Sequence, residues 1–428
     1  MQTKSWSVWL AAVALAGCAS AGVEPGAAPA GASFAARDAS LPMRFEVVGR
    51  GPITRTHTSD LSVFRGRNGR DYAYVSTWGA CQGCFGDRMY VFDVTDPRQP
   101  VLTDSVMVDA RMVNDVTVNS EGTLASITRE GASSRRNGIV ILDLADPAHP
   151  RVASEYWETL TGGVHNSVID GNFIYATHNG TGDLHIIDVS NIRQPRQVGR
   201  WGVPAAQSNS KYLHDVWVED GLAYLAYWDD GLIILDVGRG IKGGSPQDPK
   251  FVGQYRYKTQ WRGRSYGNTH AVFPYTNRAG RKFVVVGDEI FPDNAGRLLE
   301  QRRPMVPGGY IHLVDVSNLE QPVEIAKYEV AGAGAHNIWV ANDTMYVAYY
   351  NGGLRAVDIS GDPRGELRGT ARELAALPTT DAQAFAPNDP FTMAPQYYRG
   401  LIYAADFNSG LWITRLVPNR TSVAPASP

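Results

Sequence analysis

The chain has only three cysteines in 428 residues, Cys18, Cys81 and Cys84. That is too few for a scaffold built on disulfides, and no second Cys-x-x-Cys accompanies the pair at 81 and 84 to complete a zinc ribbon. An excess of one charge is also lacking: Lys and Arg number 40, Asp and Glu 43, for a net charge of −3. Nucleic-acid binding needs a basic field, so nucleic acid is excluded as the expected partner. The apolar run at residues 8–16 is too short to span a bilayer. There is no Gly-x-Ser-x-Gly elbow and no phosphate-binding loop, which removes two common enzyme signatures.

What the chain does have is repetition. Residues 214–237 read HDVWVEDGLAYLAYWDDGLIILDV. A short alternating run is followed by Asp220-Gly221, a hairpin signal. Next comes an aromatic and aliphatic run, then Asp230-Gly231, then a nearly all-apolar run. Residues 249–255, PKFVGQY, complete a four-strand unit. The third strand and its exit return as MYVFDVTDPRQP, GIVILDLADPAHP, LHIIDVSNIRQP, YIHLVDVSNLEQP and GLRAVDISGDP. Their aspartates, Asp93, Asp143, Asp188, Asp236, Asp315 and Asp358, are mostly spaced by about 40–50 residues, one propeller blade. The gap from Asp236 to Asp315 is longer. It holds one second-strand candidate, at residues 281–289, so an insertion is expected there rather than an extra blade.

The expected fold is all-β, a seven-bladed β-propeller over residues 43–417, with six blades as the alternative. FEVVGR (residues 45–50) looks like a fourth strand without partners, like RQVGRW and KFVGQY. It is expected to complete the last blade and close the ring. Residues 366–395 are expected to form a long connection with helical bias around ARELAAL, blade six ending near Gly369. The Asp-Pro-x-x-Pro exits are read as structural: the aspartate accepts from turn N–H groups and the prolines stiffen the link.

The ends suggest export. Lys4, the apolar run and Leu15-Ala16-Gly17-Cys18 resemble a bacterial lipoprotein signal, in which cleavage precedes a lipidated cysteine. A plain secretory signal with an incidental cysteine is the other reading. Residues 1–18 are then a signal, 19–42 an Ala/Gly/Pro tether, and 418–428 a loose tail. The expected location is the cell envelope, on the outer membrane or facing the periplasm, with the membrane engaged through the lipid on Cys18. In an oxidising compartment Cys81 and Cys84 read first as a disulfide, and otherwise as half a zinc site.

The phrases VFDVTDPRQP, VILDLADPAHP and IIDVSNIRQP resemble the LVIVD repeat family, propellers of bacterial and archaeal cell-surface proteins. The resemblance covers nearly all of the mature chain and implies the architecture. It implies no activity, because propellers host many.

The first strands begin at Ser59-Asp60, Asn114-Asp115, His165-Asn166, His214-Asp215, His270-Ala271, His336-Asn337 and Met393-Ala394. First strands line a propeller axis, so His165, His214, His270 and His336 are the candidate ligands of a transition metal: iron, copper or zinc. Carotenoid cleavage dioxygenases are similar in that one respect, four axial histidines holding iron. A histidine that only bonds within its own blade is the competing reading. Turns on the same rim supply Trp228, Asp229, Glu289, Tyr350 and Asp406 as candidate ligand-binding residues. Asp229, Glu289 and Asp406 are also candidates to orient the histidines, although Asp and Asn fill tight turns in any case. Arg262, Arg264, Arg297, Arg302 and Arg303 would meet an anionic ligand or simply be solvated. His149, His185 and His312 read as structural.

Two functions follow as expectations. One is a scaffold binding a ligand or envelope protein at the rim. The other is a metal-dependent oxidoreductase using the axial histidines. A lactone or ester hydrolase with a central calcium is weaker, because calcium prefers oxygen ligands.

Overall fold

The computed structural model describes residues 38, 40–79, 85–208, 211–257, 260–261, 264–265, 267–290 and 307–419. Seven antiparallel sheets follow one another along the chain as propeller blades. Blade one runs through His57–Arg65, Asp71–Trp78, Arg88–Asp93 and Val101–Met107. Blade two has Val116–Val118, Leu124–Arg129, Gly138–Asp143 and Arg151–Tyr156. Blade three has Val164–Asp170, Phe173–His178, Asp183–Asp188 and Arg196–Trp201. Blade four has Asp215–Glu219, Leu222–Tyr227, Gly231–Asp236 and Lys250–Tyr255.

Blade five comprises Thr269–Thr276, Lys282–Asp288, Ile311–Asp315 and Val323–Tyr328, with the short strand Gly365–Glu366 added in parallel at its edge. The long repeat is therefore an insertion, as its single second strand implied. Most of the insert, with Arg297, Arg302 and Arg303, lies outside the described residues, as do Arg262, Cys18, Cys81, Cys84 and the side chain of Arg264.

Blade seven is Thr392–Tyr398, Leu401–Asp406 and Gly410–Pro418, closed by Met43–Pro52, which pairs antiparallel with Gly410–Pro418 from Met43↔Pro418 to Pro52↔Gly410. The ring thus has no free edge at its seam. Phe45 and Trp412 are buried there, and the Arg50 guanidinium lies 3.8 Å from the Trp412 ring centroid.

Blade six corrects one expectation. ELAAL is not part of a helical connection: Glu373–Leu377 is the outer strand, paired with Leu354–Asp358 beside Thr344–Ala348 and Ile338–Ala341. Pairing with an open edge outweighs the weak helical preference of Glu, Leu and Ala. Glu373 accepts from Arg355 at 3.0 Å, Arg368 at 2.8 Å and Tyr328 at 2.7 Å, all beneath the surface.

The repeat phrases act as read. Asp93, Asp143, Asp188, Asp315 and Asp358 each accept from the backbone N–H two residues on, at 2.8–3.0 Å. The glycine of each VG pair has a separate reason. A Cβ on Gly49, Gly199 or Gly253 would come within 2.0 Å of the carbonyl oxygen of Pro97, Pro246 or Leu319 in the adjacent blade's exit loop. Only glycine lets that loop seat against the outer strand. Asp220 (φ 52°) and Gly221 (φ 72°) form the expected left-handed two-residue turn.

Candidate metal centre on the propeller axis

Each inner strand starts at one end of the ring, so the residue at its start faces the axis. The structure brings these residues together as the sequence alignment implied. Ser59, Asn114, His165, His214, His270, His336 and Met393 all line one axial cavity of about 20 Å³, with Asp60, Asn166 and Asn337 below. That volume suits one water-sized or ion-sized occupant.

The four histidines form a contiguous arc. Ring centroids are 4.4 Å apart from His165 to His214, 4.1 Å from His214 to His270, and 4.0 Å from His270 to His336. His214, His270 and His336 are buried. The competing reading, each imidazole held within its own blade, does not describe them. The Nδ1 of His214 bonds the His270 carbonyl at 3.0 Å, and that of His336 bonds the Met393 carbonyl at 2.5 Å. A carbonyl only accepts, so both rings are Nδ1–H tautomers and keep the Nε2 lone pair. His165 Nδ1 meets Glu130 Oε1 at 2.7 Å. His270 Nδ1 is buried with no hydrogen-bond partner among the described residues.

Electrostatics follow burial. Desolvation holds His336 down at about 3 and pushes His214 and His270 well below the ordinary imidazole value, helped by the neighbouring rings. Burial also acts on His165, but the Glu130 carboxylate outweighs it and raises that ring. Neutral imidazoles are the ligating form.

Glu289 completes the set. Its Oε2 lies 4.0 Å from His270 Nε2, and its Oε1 accepts from the Tyr350 hydroxyl. Donor atoms of His214, His270 and Glu289 all lie within 4.8 Å of one another. Burial raises the Glu289 carboxyl, and the Tyr350 hydrogen bond opposes this. Two imidazoles and one carboxylate form the donor set that suits non-haem iron, and the residues present fit a transition metal.

The rim residues divide. Trp228 stacks on His214 at 5.2 Å and Tyr350 packs on His336 at 4.7 Å. They occupy equivalent turns, bridged to Thr269 and Thr392 of the following inner strands, and both have positive φ, 20° and 35°. Asp229 does not line the cavity. Nor do Asp406, Trp228, Glu289 or Tyr350. The Asp406 carboxylate accepts from Thr379, Phe391, Asn408 and Ser409, which pins the segment before blade seven. A turn with several N–H groups folds around it.

A model of the LVIVD repeat matches residues 134–157, 161–201, 212–256 and 332–363. Those segments, about a third of the chain, carry the LVIVD repeat, and the fold is a seven-bladed β-propeller. No curated protein matches it. The crystal structure of the β-propeller domain of Myceliophteria thermophila Cps50 (Swd1) is similar, with a TM-score of 0.54 and 11% identity, covering 86% of this chain and 99% of that one. That likeness concerns fold alone.

Two features of the propeller are not evident in its sequence. Glu130, 35 residues before His165, is the partner of that ring. Below the histidines, Asp60, Asp115 and Asp215 form an acidic tier, Asp115 buried and the other two half-buried. Desolvation raises Asp60 to about 7 and Asp215 to about 6, and raises Asp115 with help from Asp60. The signal was there: an Asp or Asn follows every first-strand start except those before Ala271 and Ala394.

Proposed function

We propose that this propeller is a metal-binding protein of the cell envelope, holding one transition-metal ion on its axis and taking a ligand or partner at the rim above. The observation that carries the reading is the donor set: His214, His270 and Glu289 lie within 4.8 Å of one another, and the two histidines line the axial cavity. The carbonyl-held tautomers of His214 and His336 support it, because they leave the ligating nitrogen unprotonated. His214, His270 and Glu289 would hold the ion, with His165 and His336 flanking. Anchoring through a lipid on Cys18 belongs to the same reading and rests on the leader sequence.

A second reading, a metal-dependent oxidoreductase, is favoured by the two-histidine, one-carboxylate chemistry, which leaves positions open on iron. Bound iron would supply redox chemistry there; the chain's own part is to orient the donors and exclude water.

Elemental analysis of the purified soluble domain tests the proposal. About one equivalent of iron, copper or zinc per chain, lost in His214→Ala and in His270→Ala, is expected. Protein without stoichiometric metal after reconstitution with each ion would sink it.

A further inference from the structure

We propose that a second cavity, at the opposite end of the ring from the axial histidines, binds a neutral saccharide of one or two rings. The cavity lies between blades four and five and measures about 490 Å³, within the range of small-molecule sites. It is built on strands and tight turns: the Asp220-Gly221 turn, the far end of Thr269–Thr276, and the exit loops after Asp236 and Asp315.

Its floor is aromatic and braced. Trp217 and Phe273 have ring centroids 4.4 Å apart, and Trp339 backs Trp217 at 5.7 Å. An aromatic face carries negative potential and attracts the weakly positive C–H face of a pyranose ring. Around the floor the polar groups are mixed. Glu219 and Asp220 carry acceptors, and Arg239, Lys282 and Tyr224 carry donors; Arg239 already donates to the Asp220 carbonyl at 3.1 Å and lies 3.5 Å from its carboxylate.

Two anionic and two cationic side chains leave no net charge. A strongly anionic or cationic ligand would therefore meet repulsion as well as attraction. Hydroxyl groups both give and accept, and match acceptors and donors set side by side. The site shares no residue with the axial centre, so it stands whether or not metal binds.

The test uses the purified protein, with N,N′-diacetylchitobiose, cellobiose, maltose and lactose as probes. Binding is read by intrinsic tryptophan fluorescence and saturation-transfer NMR. Saturable binding of at least one disaccharide is expected, weakened at least about tenfold in Trp217→Ala and in Glu219→Gln, and unchanged in His214→Ala. If Trp217→Ala fails to fold by circular dichroism, Glu219→Gln and Arg239→Met decide. No saturable response to any of the four, equal affinity in the folded variants, or tighter binding of tryptophan methyl ester or citrate would overturn the proposal.

Discussion

His214 and His270 stand on the inner strands of adjacent blades, and the Nδ1–H of the first donates to the backbone carbonyl of the second at 3.0 Å. One blade thus sets the tautomer presented by its neighbour. The axial centre is a property of the ring rather than of any single repeat.

The same dependence appears at Glu289, whose carboxylate is held by Tyr350 from the next blade. Tyr350→Phe removes that donor without emptying the ring's volume. Metal affinity, measured by competition with a chelator, is expected to fall roughly 10–100-fold. Burial already raises the Glu289 carboxyl. Losing the donor raises it further, so metal release on acidification should begin at a higher pH than in the parent. Unchanged affinity and unchanged release would show that Tyr350 does not position Glu289.

His312 is buried between Asp288 at 2.9 Å and Glu324 at 2.8 Å. Burial opposes its charge, but the two carboxylates prevail and raise it to about 9. A histidine raised above its unfolded value of about 6.5 contributes stability that is complete below that value. The contribution is lost as pH rises through the folded one. The window is therefore pH 6.5 to 9. His312→Gln should cost about 3 kcal/mol at pH 6 and clearly less near pH 9 in denaturant unfolding. An equal cost at both would rule out the charged pair.

Asp60 is raised as well, but with the opposite effect on stability. Desolvation raises it to about 7, against 3.8 for the free side chain. The unfolded chain ionises first, so stability falls as pH climbs from about 4 to 7. Asp60→Asn should remove that decline and gain about 1–3 kcal/mol at pH 8. The new amide has a ready acceptor: Asn337 donates to Asp60 at 2.8 Å while its own Oδ1 is buried and unpaired among the described residues. Loss of stability in Asp60→Asn at pH 8 would contradict this.

Trp228 is held at φ 20°, where a side chain is strained and glycine is not. Both Trp228→Gly and Trp228→Ala lose the ring stacked on His214. Only the glycine variant relieves the backbone. It should be the more stable of the two by about 1 kcal/mol in thermal or chemical unfolding. If alanine is equal or better, the strain is not real.

Much of the architecture could be read directly. Period-two alternation, Asp-Gly turns and the recurring aspartate announced each blade, and FEVVGR announced the seam, because these patterns act over a few residues. ELAAL misled for the same reason: its local preference is helical, and only the open edge of Leu354–Asp358 makes it a strand. The four histidines could be aligned because one per blade falls at a repeated position.

The chain's order alone determined the ring, its closure and which side chains reach the axis. What each of those side chains does was decided by folding. The partners that fix His165, His214 and His336 lie 35, 56 and 57 residues away in sequence, and Asp406 is held by its own turn. Repeat patterns are local and survive in one dimension. Tautomer, charge and donor geometry come from contacts between blades, and those exist only once the ring has shut.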